Sequence, residues 1–142
     1  MKIKLAEIKS RHQSLCMIGN KKLPINISYA VGKNIMKLQE ELESIEKARI
    51  KLVEQYAEKE EDGTCKVVDG HYELGDNEQK LNEEFMEFMN SETEITVHTV
   101  PEAILETVED VRYDALTPAE LIALDFMLEH PQDITEEVET RG

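Results

Sequence analysis

Between Ser28 and about Glu60 the apolar positions Val31, Ile35, Leu38, Leu42, Ile45, Leu52 and Tyr56 recur in alternating steps of four and three, with Arg49 in the one slot that lacks a hydrophobe. This heptad stripe predicts a single long helix over 28–60, on the order of 50 Å at a rise of about 1.5 Å per residue. A helix that long outreaches the cover its own chain can supply, so the stripe reads as a coiled-coil seam in a homodimer or higher oligomer. Arg49 admits two readings. A guanidinium buried in the seam needs a partner and would fix register, whereas one near the exposed end snorkels its head into water. Asn26 or Ser28 is placed to cap the start, and Asp62-Gly63 to stop the helix.

Shorter patterns flank this stripe. Leu5, Ile8, His12, Leu15 and Ile18 fall at helical steps until Gly19-Asn20, predicting a first helix and, across the loop to Asn26, an antiparallel helical hairpin. The alternation of Ile3 and Leu5 with lysines equally admits a short strand at residues 1–5. After the long helix the period changes to two. Thr64 to Val68 and His71 to Leu74 flank Asp69-Gly70, the dipeptide that most strongly signals a β-hairpin, here over 64–74. A third helix over 77–90 gathers Leu81, Phe85, Phe88 and Met89 on one face. Residues 94–100 alternate as a strand that could join the hairpin, and a short helix follows with Ile104, Leu105 and Val108. Thr117, Pro118 and Glu120 form a capping box that opens a last helix over 117–129, carrying Leu121, Leu124 and Leu128. Residues 131–142 read as a frayed acidic tail after a single domain over 1–130.

Composition fits this picture: of 142 residues 40% are hydrophobic, with three Phe, four Tyr and no Trp, so aliphatic and Met packing must carry the core. The expected class is therefore α+β, mainly helical, with one small antiparallel sheet. Charge changes the picture more. The net charge of −15 resolves into 11 basic and five acidic residues over 1–51, or +6, and five basic and 26 acidic over 52–142, or −21. Duplex nucleic acid and anionic membranes should be repelled by the second half. No apolar run approaches the roughly 20 residues of a membrane span, and the charged N-terminus lacks a secretory h-region, so a cytoplasmic location is expected. Cys16 and Cys65 read as free thiols.

Candidate chemistry is sparse. His12 with Cys16, and Cys65 with His71, have spacings that permit zinc, but the half-sites come from unrelated elements, and ordinary packing accounts for them. Neither cysteine has a glycine-rich elbow or an oxyanion-forming turn. The carboxylate pairs fall on solvent faces, residues 60–63 lack the ligand order of a calcium loop, and no Walker or GxGxxG motif occurs. No catalytic residue, metal or cofactor is expected, and the chain reads as a non-enzyme.

Two binding readings stay open. Lys21, Lys22, Lys33 and Lys37 cluster around the start of the long helix, whose positive end is suited to an anion such as a phosphate-bearing nucleotide. The −21 half could instead imitate nucleic-acid phosphates and fill a basic groove on another protein. Against both, these charges could simply solvate the surface and pair with one another.

The stretch Lys22-Leu23-Pro24-Ile25-Asn26-Ile27-Ser28-Tyr29-Ala30-Val31, the charged helix ending Lys51-Leu52-Val53-Glu54-Gln55-Tyr56, the Glu61-Asp62-Gly63 turn, and the closing Leu116-Thr117-Pro118 with Leu124-Asp125-Phe126-Met127 resemble a family of small acidic proteins encoded by bacteriophages and prophages of Gram-positive bacteria. The family carries no assigned activity, so the resemblance implies provenance and no site residues. By analogy with other small phage proteins, the expectation is a non-enzymatic interaction protein of the infected cytoplasm that antagonises host defence, by binding an effector protein or by sequestering a nucleotide signal. A phage assembly chaperone or minor structural protein is the alternative.

Overall fold

The computed structural model describes residues 1–130 and shows a mainly helical α+β protein. In chain order the elements are β1 (Lys2–Lys4), α1 (Leu5–Gly19), α2 (Ile25–Tyr56), β2 (Val67–Val68), β3 (His71–Tyr72), α3 (Glu78–Met89), β4 (Glu92–Glu94), β5 (Val100–Pro101), a 3-10 segment (Glu102–Glu109), α4 (Pro118–Leu124) and β6 (Leu128–Glu129). The expected tail, 131–142, lies outside the described residues. Among those described, no helix is long and apolar enough to cross a membrane.

Contacts group the described residues into two compact units, one of Met1, 9–39 and 95–130, the other of 2–8 and 40–94. Both α1 and α2 start in one unit and end in the other, so neither unit is a continuous segment of sequence.

In the first unit the core comprises Leu15, Ile18, Ile27, Ala30, Val31, Leu38, Leu124 and Met127, all nearly inaccessible. α1 ends at Gly19, where an added Cβ would stand 3.4 Å from Ile35 Cδ1 and 3.7 Å from Val31, so the glycine permits a close approach to α2. α2 begins at Ile25, three residues before the expected start, because the Pro24 carbonyl accepts the Ile27 and Ser28 N–H groups, both at 3.0 Å. Ser28 does not cap it: its hydroxyl donates to the Leu23 carbonyl at 3.3 Å. The expected strand over 94–100 pairs only at its ends, and neither end joins the hairpin. β5 runs parallel to β6, with Val100 opposite Leu128. The capping box is formed as the sequence predicts, the Thr117 hydroxyl accepting the Glu120 N–H and the Glu120 carboxylate accepting the Thr117 N–H. The helix it opens is shorter than expected. It stops at Leu124 and passes through a 3-10 turn over Asp125–Met127 into β6, which pairing with β5 draws out of helical geometry.

In the second unit both N-terminal readings hold, since β1 passes directly into α1. β1 pairs antiparallel with β4, burying Ile3 opposite Thr93 and setting Lys2 against Glu94 and Lys4 against Glu92. The Asp69-Gly70 turn is present with φ of 52° and 79°, the two left-handed residues that a type I′ hairpin requires. α3 buries Leu81 and half-buries Phe85, Phe88 and Met89. α2 ends at Tyr56, before the predicted stop. Asp62-Gly63 instead makes a separate turn, with Gly63 at φ 88° and the Asp62 carboxylate accepting from the Thr64 N–H at 3.0 Å and hydroxyl at 2.7 Å.

Candidate interaction surface

The four lysines around the start of α2 have different surroundings. Lys21 Nζ lies 2.6 Å from Glu120 Oε1 and 2.9 Å from the Ala115 carbonyl. The Lys21 ammonium and then the Thr117 N–H hold the Glu120 carboxyl below its ordinary range. The Lys22 backbone is clamped on both sides, its N–H donating to Asp114 Oδ2 at 2.7 Å and its carbonyl accepting the Asp114 N–H at 2.8 Å. This loop is therefore tied to acids from the chain's second half. Beside the first turn of α2 lies a cleft of about 470 Å³ whose charged lining is Glu106, Asp110 and Arg112. The Arg112 N–H donates to Asp110 Oδ1 at 2.9 Å and the Arg112 Nε to the same oxygen at 3.0 Å, and these bonds, the backbone one first, lower the Asp110 pKa. Two carboxylates against one paired guanidinium make this cleft a poor anion receptor.

Lys33 and Lys37 are exposed and stand one turn apart on α2. They flank a stripe the sequence pattern did not disclose: Ile25, Tyr29, Gly32 and Met36, again at steps of four, three and four. Ile25 is 81% exposed, Tyr29 57% and Met36 63%, and a Cβ at Gly32 would meet nothing within 4 Å. The Tyr29 ring is held in place, edge-on to the His98 ring at 5.4 Å between centroids and with Lys33 Nζ 5.6 Å from its own. His98 is positioned in turn by Asn34, a buried polar residue that sequence reasoning missed. Asn34 Nδ2 donates to the His98 carbonyl at 2.9 Å and its Oδ1 accepts the His98 N–H at 2.8 Å, so one side chain replaces a neighbouring strand. The available signal was its position, three residues after Val31 and four before Leu38, on the face that the buried Ile27, Val31 and Leu38 define.

The residues of the predicted oligomer seam fall into two groups. Val31, Leu38 and Ile45 are buried within one chain, while Ile35, Leu42, Leu52 and Tyr56 are half-buried. Arg49 takes the solvent-facing reading: its side chain is 46% exposed and its Nη2 lies 2.6 Å from Glu46 Oε1 one turn back, which raises its own pKa and lowers that of Glu46. Tyr56 donates to Glu84 Oε2 at 2.5 Å.

Of the candidate thiols, Cys16 Sγ lies 3.8 Å from His12 Nε2, and Cys65 contacts Lys59. Among the described residues, no three of His, Cys, Asp and Glu gather as a metal site would require. The exposed stripe of α2 is thus the feature best shaped for an interaction: apolar, backed by a buried hydrogen-bond node and bordered by cations. No protein-family model, curated protein or solved structure matches the chain.

Proposed function

We propose that the chain is a non-enzymatic, phage-encoded interaction protein that works in the cytoplasm of the infected host by occupying a surface on a protein of the host's defence. The observation that carries this reading is the Ile25, Tyr29, Met36 stripe with Lys33 and Lys37 beside it. Large apolar side chains held exposed on an ordered helix, rather than scattered singly, mark protein contact sites. The two lysines define the partner's chemistry, an apolar groove or helix rimmed by carboxylates. The nucleotide-sequestering variant of this reading is weaker, since Lys21 is neutralised by Glu120 and the nearby cleft is acid-lined.

Self-association through a coiled coil belongs to the same proposal in altered form. Val31, Leu38 and Ile45 are already covered, so a second copy would seat on the Tyr29 and Met36 stripe. That arrangement draws Lys33 and Lys37 of both copies to one seam, and like charges there disfavour it against an acidic partner.

The test is affinity purification from infected cells with wild type, Tyr29→Asp and Met36→Asp. We expect one host protein in stoichiometric amount with wild type and at least a tenfold loss with either variant. Recovery of capsid or tail components instead would favour the assembly reading. Equal recovery by all three proteins would remove the stripe from the account.

A further inference from the structure

The loop that follows α2 brings an amine and a thiol together through backbone register. The Glu60 N–H donates to the Thr64 carbonyl at 2.8 Å and the Lys66 N–H to the Glu58 carbonyl at 2.7 Å. Lys59 and Cys65, directly between these bonds, form an isolated antiparallel bridge. They are a non-hydrogen-bonded pair, the kind in which facing side chains approach most closely. The end of α2 fixes the lysine further. The Glu54 carbonyl would bond the N–H four residues on, but the Glu58 N–H turns away to the Glu73 carbonyl at 2.8 Å. Lys59 Nζ takes its place at 2.5 Å from the Glu54 oxygen, where the negative end of the helix favours a cation. From there Nζ reaches Cys65 Sγ at 3.0 Å, and the sulfur also points to the Glu54 carbonyl at 3.7 Å. Cys65 is half-buried and Lys59 exposed, so a small oxidant can reach both.

We propose that Lys59 and Cys65 form an oxidative modification site, joined by a sulfur–nitrogen bond when the chain meets hydrogen peroxide. In the first step the Cys65 sulfur attacks peroxide, the O–O bond breaks, and the products are the sulfenic acid and one water. Sulfur gives up two electrons and peroxide accepts them. In the second step Lys59, having released its ammonium proton to solvent, attacks the sulfenic sulfur with its lone pair. The S–N bond forms, the S–O bond breaks, and the departing oxygen leaves as water with a proton from the amine. The net change is loss of two hydrogens from the protein and consumption of one peroxide. Prepositioning of the two atoms makes the second step intramolecular, which lets it outrun further oxidation of the sulfur. Reduction by an added thiol reopens the bond.

The experiment uses the full chain with Cys16→Ser, so that Cys65 is the only sulfhydryl. Peroxide-treated protein is digested with trypsin without reductant and analysed by mass spectrometry. A linked Lys59 resists cleavage, so the expected product spans residues 52–66, is two hydrogens lighter than the unmodified sequence, and reverts with dithiothreitol. Lys59→Arg should give none of this product and should carry Cys65 on to sulfinic and sulfonic acids. A wild-type Lys59 that trypsin still cuts while Cys65 is oxidised would overturn the proposal.

Discussion

Asn34 and His98 exchange two hydrogen bonds, side-chain amide to backbone carbonyl at 2.9 Å and backbone N–H to side-chain oxygen at 2.8 Å. Among the described residues no strand pairs with the segment around His98, so these bonds hold it and set the ring that supports Tyr29. Replacing Asn34 with Leu leaves the His98 backbone donor and acceptor without their side-chain partner, and we expect a loss of about 1–3 kcal/mol in urea unfolding. The same variant should weaken partner capture beyond its effect on stability. A loss under about 0.5 kcal/mol would mean that water replaces the amide without penalty.

The capping box predicts a smaller effect. Thr117→Ala removes the hydroxyl that accepts the Glu120 N–H at 3.2 Å and should destabilise the protein by about 1 kcal/mol. Glu120 also sets an acid limit. Its folded pKa lies below the ordinary 4.5, so its contribution is complete above the unfolded value and fades as pH falls through the folded one. Glu120→Gln should flatten that part of a stability-against-pH curve.

His130 gives the opposite slope. Its Nδ1 lies 3.2 Å from Glu102 Oε2 and its Nε2 3.0 Å from Asp125 Oδ1. The bond to Glu102 comes first, followed by the charge of Asp125, in raising its pKa above 6.5. A raised folded pKa means stabilisation that is complete below the unfolded value and is lost as pH rises through the folded one. The thermal midpoint of wild type should therefore fall across that window relative to His130→Gln; parallel curves would contradict it.

At the hairpin, Gly70 holds φ at 79°, where a Cβ is strained by about 1 kcal/mol. Gly70→Ala should accelerate exchange of the Glu73 amide, bonded to the Lys66 carbonyl at 2.9 Å, by about fivefold. Unchanged exchange would place the opening of this hairpin outside its turn.

Local chemistry was legible in the sequence and pairing choices were not. Asp69-Gly70, the Thr117 capping box and the α3 face all follow from residues within a few positions of one another, and all are present. The segment 94–100 does not join the hairpin because its neighbours are chosen at long range: β1 takes one end, β6 the other, and the Asn34 side chain a point between. The heptad pattern found α2 but favoured Ile35 over Asn34, since hydrophobicity alone cannot reveal a buried amide whose partner lies 64 residues away. For the same reason the Lys59 and Cys65 pair was invisible until the register placed them opposite.

On the proposed function, the Tyr29 and Met36 face of α2 holds a protein partner. Native mass spectrometry of wild-type protein and Met36→Asp, each purified from infected cells, tests it most directly because it reports stoichiometry and retained small molecules together. We predict a complex of one chain with one host protein for wild type, and the bare chain for the variant. Wild-type protein that carries a nucleotide, or that emerges with no protein bound, would contradict the account.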